Sequence, residues 1–391
     1  MNRGNYIFTQ ICQFLPRDYF EYLVGKYQGN KYLKSFTCWN HLLVLIWAQF
    51  TSRESLRDIT NSLSVHKSKF HHLGFGKDVC RTTLSEANEK RELKIFECFA
   101  ERIIEIAQKK RVDVHNLFIQ GIDNGIFAVD STTIPLNQDL FWWSKIQKGK
   151  GGIKLHTLFD ILTAIPVYNI ITDNTVRDQS LMDLYPYQVG AFYIFDKAYV
   201  KLLSLSTIDN LGAYFVVRRK KKMNFEILQQ YKCSNVSEGV FRDLKIRLSN
   251  RWACSRYTSP LRIIYYYSEE KKKILEFFTN NFDLEAKQIA YIYKSRWQIE
   301  LFFKWVKQHL KIKRFYGTSE NAVKIQIYVA IICYCLIAII QKELKLNISP
   351  YELLRIFNVS LFEKENLKEF LTKTDVTSNY QNDSSLNLKL F

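Results

Sequence analysis

The residues best suited to chemistry gather in one segment, Tyr293-Lys-Ser-Arg296-Trp297-Gln-Ile-Glu300-Leu-Phe-Phe-Lys304-Trp-Val-Lys307. Read as one helix at about 100° per residue, it brings Tyr293, Arg296, Lys304 and Lys307 within roughly 40° of Glu300. Ile292, Ile299, Phe302, Phe303, Val306 and Leu310 form a second stripe roughly 100° away. Such a helix docks by its apolar face and offers one acid among cations along the adjacent edge. A carboxylate that holds a metal ion beside a phosphate backbone would be built this way. The plainer reading is a surface helix whose Glu300 and Lys304 pair at i,i+4. Acids elsewhere in the chain decide between the two.

Ile126-Phe-Ala-Val-Asp130 and Ala191-Phe-Tyr-Ile-Phe-Asp196 are short apolar runs that each end in an acid. Both read as buried strands, and strand ends are where open α/β sheets place ligands. An Asp after a strand is also a common helix cap, so neither acid is decisive alone. Three carboxylates from two strands and a helix suit two-metal phosphoryl transfer. Two Mg²⁺ ions roughly 3.5–4 Å apart would activate the attacking oxygen and stabilise the leaving one. Oxygen ligands suit such hard ions, and neither histidine nor thiol is needed.

Further strands are expected at Ile153-Lys-Leu-His-Thr-Leu-Phe-Asp, Ala164-Ile-Pro-Val-Tyr-Asn-Ile-Ile-Thr and Ala213-Tyr-Phe-Val-Val-Arg218, with a helix over Gln179–Tyr187. About 220–280 is β-rich and basic. Residues 1–75 read as a helical N-terminal domain suited to DNA binding. Its elements include a buried helix over 39–50 and a Ser-capped start near Ser52. Residues 76–122 read as a helical linker with a helix-turn-helix-like character and one amphipathic helix through Ile104. Residues 341–391 read as a final helical segment and polar tail. Lys148-Gly-Lys-Gly-Gly-Ile-Lys154 lacks the Ser or Thr of a P-loop. It reads as a basic loop whose Lys154 contacts a DNA backbone.

The chain has 391 residues, 47% of them hydrophobic and 15% aromatic, enough for a substantial core and inconsistent with a disordered protein. Its 56 basic and 38 acidic residues leave +18, which points to a polyanion: nucleic acid first, an anionic membrane surface second. The eight cysteines form no CxxC pair and show no zinc spacing, and most read as small buried hydrophobes in a reducing compartment. His71 and His72 are adjacent and do not converge on a helix as metal ligands would. Residues Ile325–Ile340 are strongly apolar, but a spanning helix needs about twenty such residues. They read as a buried helix, and no membrane partner is expected.

With these residues in view, Tyr293-x2-Arg296-x3-Glu300-x6-Lys307 resembles the Y-x2-R-x3-E-x6-K motif of insertion-sequence-four family transposases. Val129-Asp-Ser-Thr-Thr and Phe195-Asp-Lys-Ala-Tyr are similar to that family's first and second catalytic blocks. Gly152-Ile-Lys-Leu-His-Thr and Phe277-Phe-Thr-Asn-Asn are similar to its strands, and Gly25 to Ile59 resembles an N-terminal domain found on a subset of members. Ala198 stands where relatives often have Gly, a change that a small residue accommodates.

The resemblance implies an α/β fold. Its ribonuclease-H-like core, a mixed sheet flanked by helices over 123–340, would be interrupted by a β-rich insertion at about 220–280. It implies that Asp130, Asp196 and Glu300 are the catalytic and metal-binding triad, served by two Mg²⁺ ions for which Mn²⁺ can substitute. Tyr293, Arg296 and Lys307 would contact DNA phosphates, with Lys304 beside them. Trp297 would help to hold a flipped base, and Trp252 in the insertion would accept it. The activity expected is that of a DDE transposase: cleavage at the inverted repeats through a hairpin, then strand transfer into target double-stranded DNA. A homodimer would pair the two ends, in the cytoplasm at the nucleoid. A stand-alone metal-dependent nuclease and a DNA-binding transposition regulator are the alternatives.

Overall fold

The structure is a computed structural model that describes residues 5–110, 122, 124–144, 146–147, 150–220, 223–232, 239–269, 272–309 and 314–379. Lys148, Lys221, Lys222, Lys271, Leu310, residues 111–121 of the expected linker and the tail beyond Asn379 lie outside the described residues. The helices are α1 (Ile7–Cys12), α2 (Arg17–Lys26), α3 (Cys38–Phe50), α4 (Leu56–Ser64), α5 (Phe70–Leu73), α6 (Arg81–Lys90) and α7 (Leu93–Lys110). They continue as α8 (Leu202–Asn210), α9 (Arg251–Cys254), α10 (Ala286–Ser295), α11 (Trp297–His309), α12 (Glu320–Glu343), α13 (Pro350–Ser360) and α14 (Leu367–Asn379). The strands are β1 (Ile126–Leu136), β2 (Ile146–Gln147), β3 (Lys150–Asp160), β4 (Ile165–Asp173) and β5 (Phe192–Phe195). They are followed by β6 (Tyr214–Arg218), β7 (Phe225–Gln230), β8 (Val240–Leu248), β9 (Leu261–Ser268) and β10 (Lys273–Thr279).

Two compact units result. The first comprises Met1–Val112, Ile134–Ile153 and Phe302–Phe391, and the second Asp113–Thr133 and Lys154–Leu301. In the first unit α12 packs on α7, α3 and α6. Its most apolar window is 89% buried within the fold, so this stretch is a core helix, as expected from its length. The amide side chain inside its apolar run, Gln326, is matched by backbone. It accepts from the Tyr316 amide at 2.8 Å and donates to the Arg314 carbonyl at 3.0 Å. Every residue of α3 is buried, and Thr37 caps it by accepting from the Asn40 amide. The next helix is capped by Ser55 rather than Ser52. The helix expected through Ile104 is in fact two, α6 and α7. Between them Arg91 is extended and buried, donating to the Phe36 carbonyl and to Cys38 Sγ. Its donors are satisfied only if the chain turns there.

The strands follow the order β2-β3-β1-β5-β6-β10-β9-β8-β7, with β4 beside β3. β1, β5 and β6 are parallel, and β6, β10, β9, β8 and β7 are antiparallel to one another in succession. This is the mixed, helix-flanked sheet that the sequence implies. The β-rich stretch at 220–280 extends that sheet, because β10 returns to pair with β6. The segment expected as a helix over Gln179–Tyr187 is a 3₁₀ turn, Asp178–Leu184. Side chains alternate along each strand. Phe127 and Val129 of β1 share the core of one face with Tyr193 and Phe195 of β5 and Phe215 and Val217 of β6. The intervening positions therefore look to the other face.

A buried ion pair ties β8 to β9. Arg262 Nε and Nη2 donate to the two carboxylate oxygens of Asp243 at 2.9 and 2.8 Å, and Nη1 donates to the Leu284 carbonyl at 2.6 Å. Both side chains are 7% exposed. Removing one partner strands a buried charge. Asp243→Ala is expected to destabilise the second unit by about 3–5 kcal/mol in chemical denaturation. Asp243→Leu combined with Arg262→Met should recover most of that loss. A single-variant cost below about 1 kcal/mol would show that the pair is dispensable.

Candidate active site

Strand register brings the two aspartates together. Val129 of β1 faces Phe195 of the parallel β5, so Asp130 and Asp196 follow at the same level on neighbouring strands. Adjacent strands lie about 4.8 Å apart. Phe195 faces Val217 of β6, which puts Arg218 next in the same row. All three belong to the face opposite Phe127 and Val129. Helix α10 packs against β6. Its Tyr293 ring lies 4.4 Å from that of Phe277, which pairs with Arg218 across β6 and β10.

The segment read as one helix is broken at Arg296, between α10 and α11. The turn tightens there. The Arg296 amide donates to the Tyr293 carbonyl at 3.1 Å, and the Ile299 amide to the Arg296 carbonyl at 3.2 Å, both i to i+3. The expected apolar stripe survives the break, with Ile292, Ile299, Phe302, Phe303 and Val306 buried. At the break, Arg296 Nη1 donates to Asp130 Oδ2 at 2.8 Å and Nη2 donates to Glu300 Oε1. Glu300 is therefore neither a simple surface acid nor a partner of Lys304. It is tied through one guanidinium to an acid 170 residues earlier in the chain.

Burial pushes the Asp130 carboxyl up to about 6, against the pull of Arg296 and of the Ser131 amide, with Glu300 and Asp196 adding to the rise. Burial also raises the Tyr293 hydroxyl to about 12, where Asp196 adds to the rise and Arg296 and Arg218 oppose it. Asp130, Asp196, Glu300, Tyr293, Arg296 and Arg218 thus act on one another as a single electrostatic cluster. Arg218 is absent from the sequence-based site. Its signal was its place at the end of a strand parallel to the one carrying Asp196.

Among the described residues, no three acids, histidines or cysteines stand as a preformed metal cage. Arg296 sets a guanidinium between Asp130 and Glu300, two of the expected metal ligands. The donors still fit a hard divalent cation. They are carboxylate oxygens alone, on a face where positive charge is already required.

Trp297 is 53% exposed at the start of α11. Trp252 is 60% exposed on α9, with the Arg256 guanidinium 4.2 Å from its ring centre. Lys304 is exposed and Lys307 half-buried on the part of α11 that belongs to the first unit. Lys154 needs correction as a backbone contact. Its side chain is 12% exposed and its ammonium donates inward, to the Val176 carbonyl at 2.8 Å and to Asp178 Oδ1 at 3.2 Å. A half-buried carboxylate nearby holds that ammonium in place of solvent.

A carboxyl whose pKa rises on folding, here from 3.8 to about 6, contributes stability that is complete at low pH. That contribution is lost as the pH climbs through about 6. Between pH 4 and 7 wild-type protein should therefore lose on the order of 1–3 kcal/mol relative to Asp130→Asn, measured by unfolding without added metal. A difference that does not vary with pH would contradict this assignment.

Residues 122–336, more than half the chain, match the transposase DDE domain, and residues 3–76 match a domain of unknown function. The chain is 35% identical over 246 residues to a Sinorhizobium fredii protein described as transposase y4zB, covering 61% of this chain and 67% of that one. It is 29% identical over 213 residues to a Geobacillus stearothermophilus protein described as a transposase for insertion sequence element IS5377, covering 54% and 55%. Against a Synechocystis protein described as a transposase for insertion sequence element IS4SA, it is 26% identical over 306 residues, covering 76% and 83%. With the mixed sheet and the acids of its parallel strands, these matches show that the chain belongs to the DDE transposase domain family.

Proposed function

We propose that this chain is the transposase of an insertion sequence, and that Asp130, Asp196 and Glu300 are its catalytic acids. The observation that carries the reading is the Asp130–Asp196 register together with the Arg296 bridge from Asp130 to Glu300. The three carboxylates would hold two Mg²⁺ ions, or Mn²⁺ in their place. Such ions activate the attacking oxygen and stabilise the leaving one. The protein's own part is to hold and orient the DNA. Tyr293, Arg296 and Arg218 surround the acids with donors for phosphate oxygens, and Lys304 and Lys307 continue the basic run along α11. Trp297 and Trp252 offer exposed rings on which an extruded base can stack.

The products would be a nicked end with a free 3′-OH, a hairpin formed by that hydroxyl on the opposite strand, and a joined target after reopening. Two protomers would pair the two ends, in the cytoplasm beside the nucleoid. The N-terminal helices would bind the repeats, and α6 offers exposed Arg81, Thr82 and Thr83 at its start.

Purified protein with linear DNA carrying the inverted repeats and Mg²⁺ should give cleaved and joined products. Asp130→Asn and Glu300→Gln should each lower the rate by about 10³-fold, the scale of losing a group that stabilises the transition state. Variants as active as wild type would overturn the assignment. Cleavage without joining would favour a stand-alone nuclease.

Affinity for end DNA should fall steeply with salt, and Lys304→Ala and Lys307→Ala should each flatten the slope of log affinity against log salt by about 1. An unchanged slope would remove these lysines from the phosphate contacts.

A further inference from the structure

On the reverse face of the sheet from Asp130 lies a second polar cluster with no part in the chemistry above. Ser131 follows Asp130 on β1 and projects to the other side, in line with Phe127 and Val129. Its hydroxyl donates to Asp178 Oδ1 at 2.8 Å. Lys154 of β3 donates to the same oxygen at 3.2 Å, and His156, two residues on, brings Nδ1 to 3.7 Å from it. His156 Nε2 lies 2.9 Å from Thr172 Oγ1 of β4. Asp178 itself opens the 3₁₀ turn Asp178–Leu184. One carboxylate oxygen therefore gathers β1, β3 and the turn.

This arrangement is costly if it only fills the core. The His156 side chain is 0% exposed, and Lys154 is a nearly buried ammonium. Apolar residues of similar volume often serve a core as well as a buried ion pair does. What distinguishes the cluster is its reach to the acid. The Ser131 amide donates to Asp130 Oδ1 at 2.8 Å, while the Ser131 hydroxyl is held by Asp178. Ser131 is thus fixed on one face of the sheet and holds a carboxylate on the other.

We propose that Asp178 is a positioning residue for the acid centre. Through Ser131 it sets the rotation of β1 at the Asp130–Ser131 peptide, and with it the direction of the Asp130 carboxylate. Lys154 keeps Asp178 in place, so the Gly152-Ile-Lys-Leu-His-Thr strand acts on the reaction from behind, without touching DNA. The inference rests on Asp130 being a catalytic acid. Partners behind a metal-binding carboxylate typically alter affinity or rate 10–100-fold when removed.

The test uses the full chain as Asp178→Ala, Ser131→Ala, Ser131→Thr and Asp130→Asn. Four quantities are measured: Mn²⁺ affinity from the paramagnetic resonance of free Mn²⁺, end cleavage, end-DNA affinity in chelator, and thermal unfolding. Asp178→Ala and Ser131→Ala should weaken Mn²⁺ binding and slow cleavage by about 10–100-fold. DNA affinity should stay within about twofold, because phosphate contacts supply most of it. Ser131→Thr keeps the hydroxyl and should retain near-wild-type values. Wild-type Mn²⁺ affinity and cleavage in folded Asp178→Ala and Ser131→Ala would overturn the proposal. So would losses that merely follow the fraction unfolded. If Asp178→Ala does not fold, Ser131→Ala against Ser131→Thr decides alone. If Asp130→Asn binds Mn²⁺ and cleaves as wild type does, the reading of Asp130 itself has failed. If Asp130→Asn is impaired and Asp178→Ala and Ser131→Ala are not, only the positioning role has failed.

Discussion

The site is organised around the Arg296 guanidinium, which two carboxylates share. Asp130 and Asp196 sit at matching positions on parallel strands, and burial, with smaller contributions from Glu300 and Asp196, holds the Asp130 carboxyl above its usual range. One guanidinium opposes that rise by binding Asp130 and Glu300 together. The helix break at Arg296, the placement of α10 across β6 and the amide of Ser131 all serve that arrangement. A straight helix would carry Arg296 and Glu300 on a continuous ladder. At the tightened turn Arg296 also reaches Asp130 on β1.

The same constraint explains why a chain of net charge +18 carries its acids where it does. A basic protein attracts DNA over much of its surface, and reaction needs a place where negative charge is concentrated and oriented. Desolvation raises the Asp130 carboxyl, which makes a cation there more favourable than water alone would. The elements that position it are rigid: paired strands, a buried ion pair between β8 and β9, and an aromatic contact between α10 and β10.

Much of this was legible in the sequence because it is local. Apolar runs ending in Asp130 and Asp196 announce their strands, and the period of Ile292, Ile299 and Phe302 announces a docked helix. Ser131 and Lys154 were less readable. Each is a polar residue on a strand, and where it points depends on Asp178, 47 and 24 residues away respectively. Lys154 looked like a phosphate contact because its neighbours in sequence are basic and glycine-rich, and its partner Asp178 is not among them. The break at Arg296 was hidden for a related reason. Helix propensity favours continuing through it, and the contact made at the break is with the distant Asp130. Arg91 ends α6 on the same principle.

The continuity of the sheet from β5 through β6 and β10 to β9 and β8 links an exposed ring to an acid at a strand end. Trp252 stands on α9, between β8 and β9, and Asp196 follows β5. Ring and acid are mounted on one hydrogen-bonded lattice, with no hinge between them in the strand order. Their separation works as a fixed gauge. The separation of the Trp252 ring from Asp196 is thereby set by the number of strands lying between them.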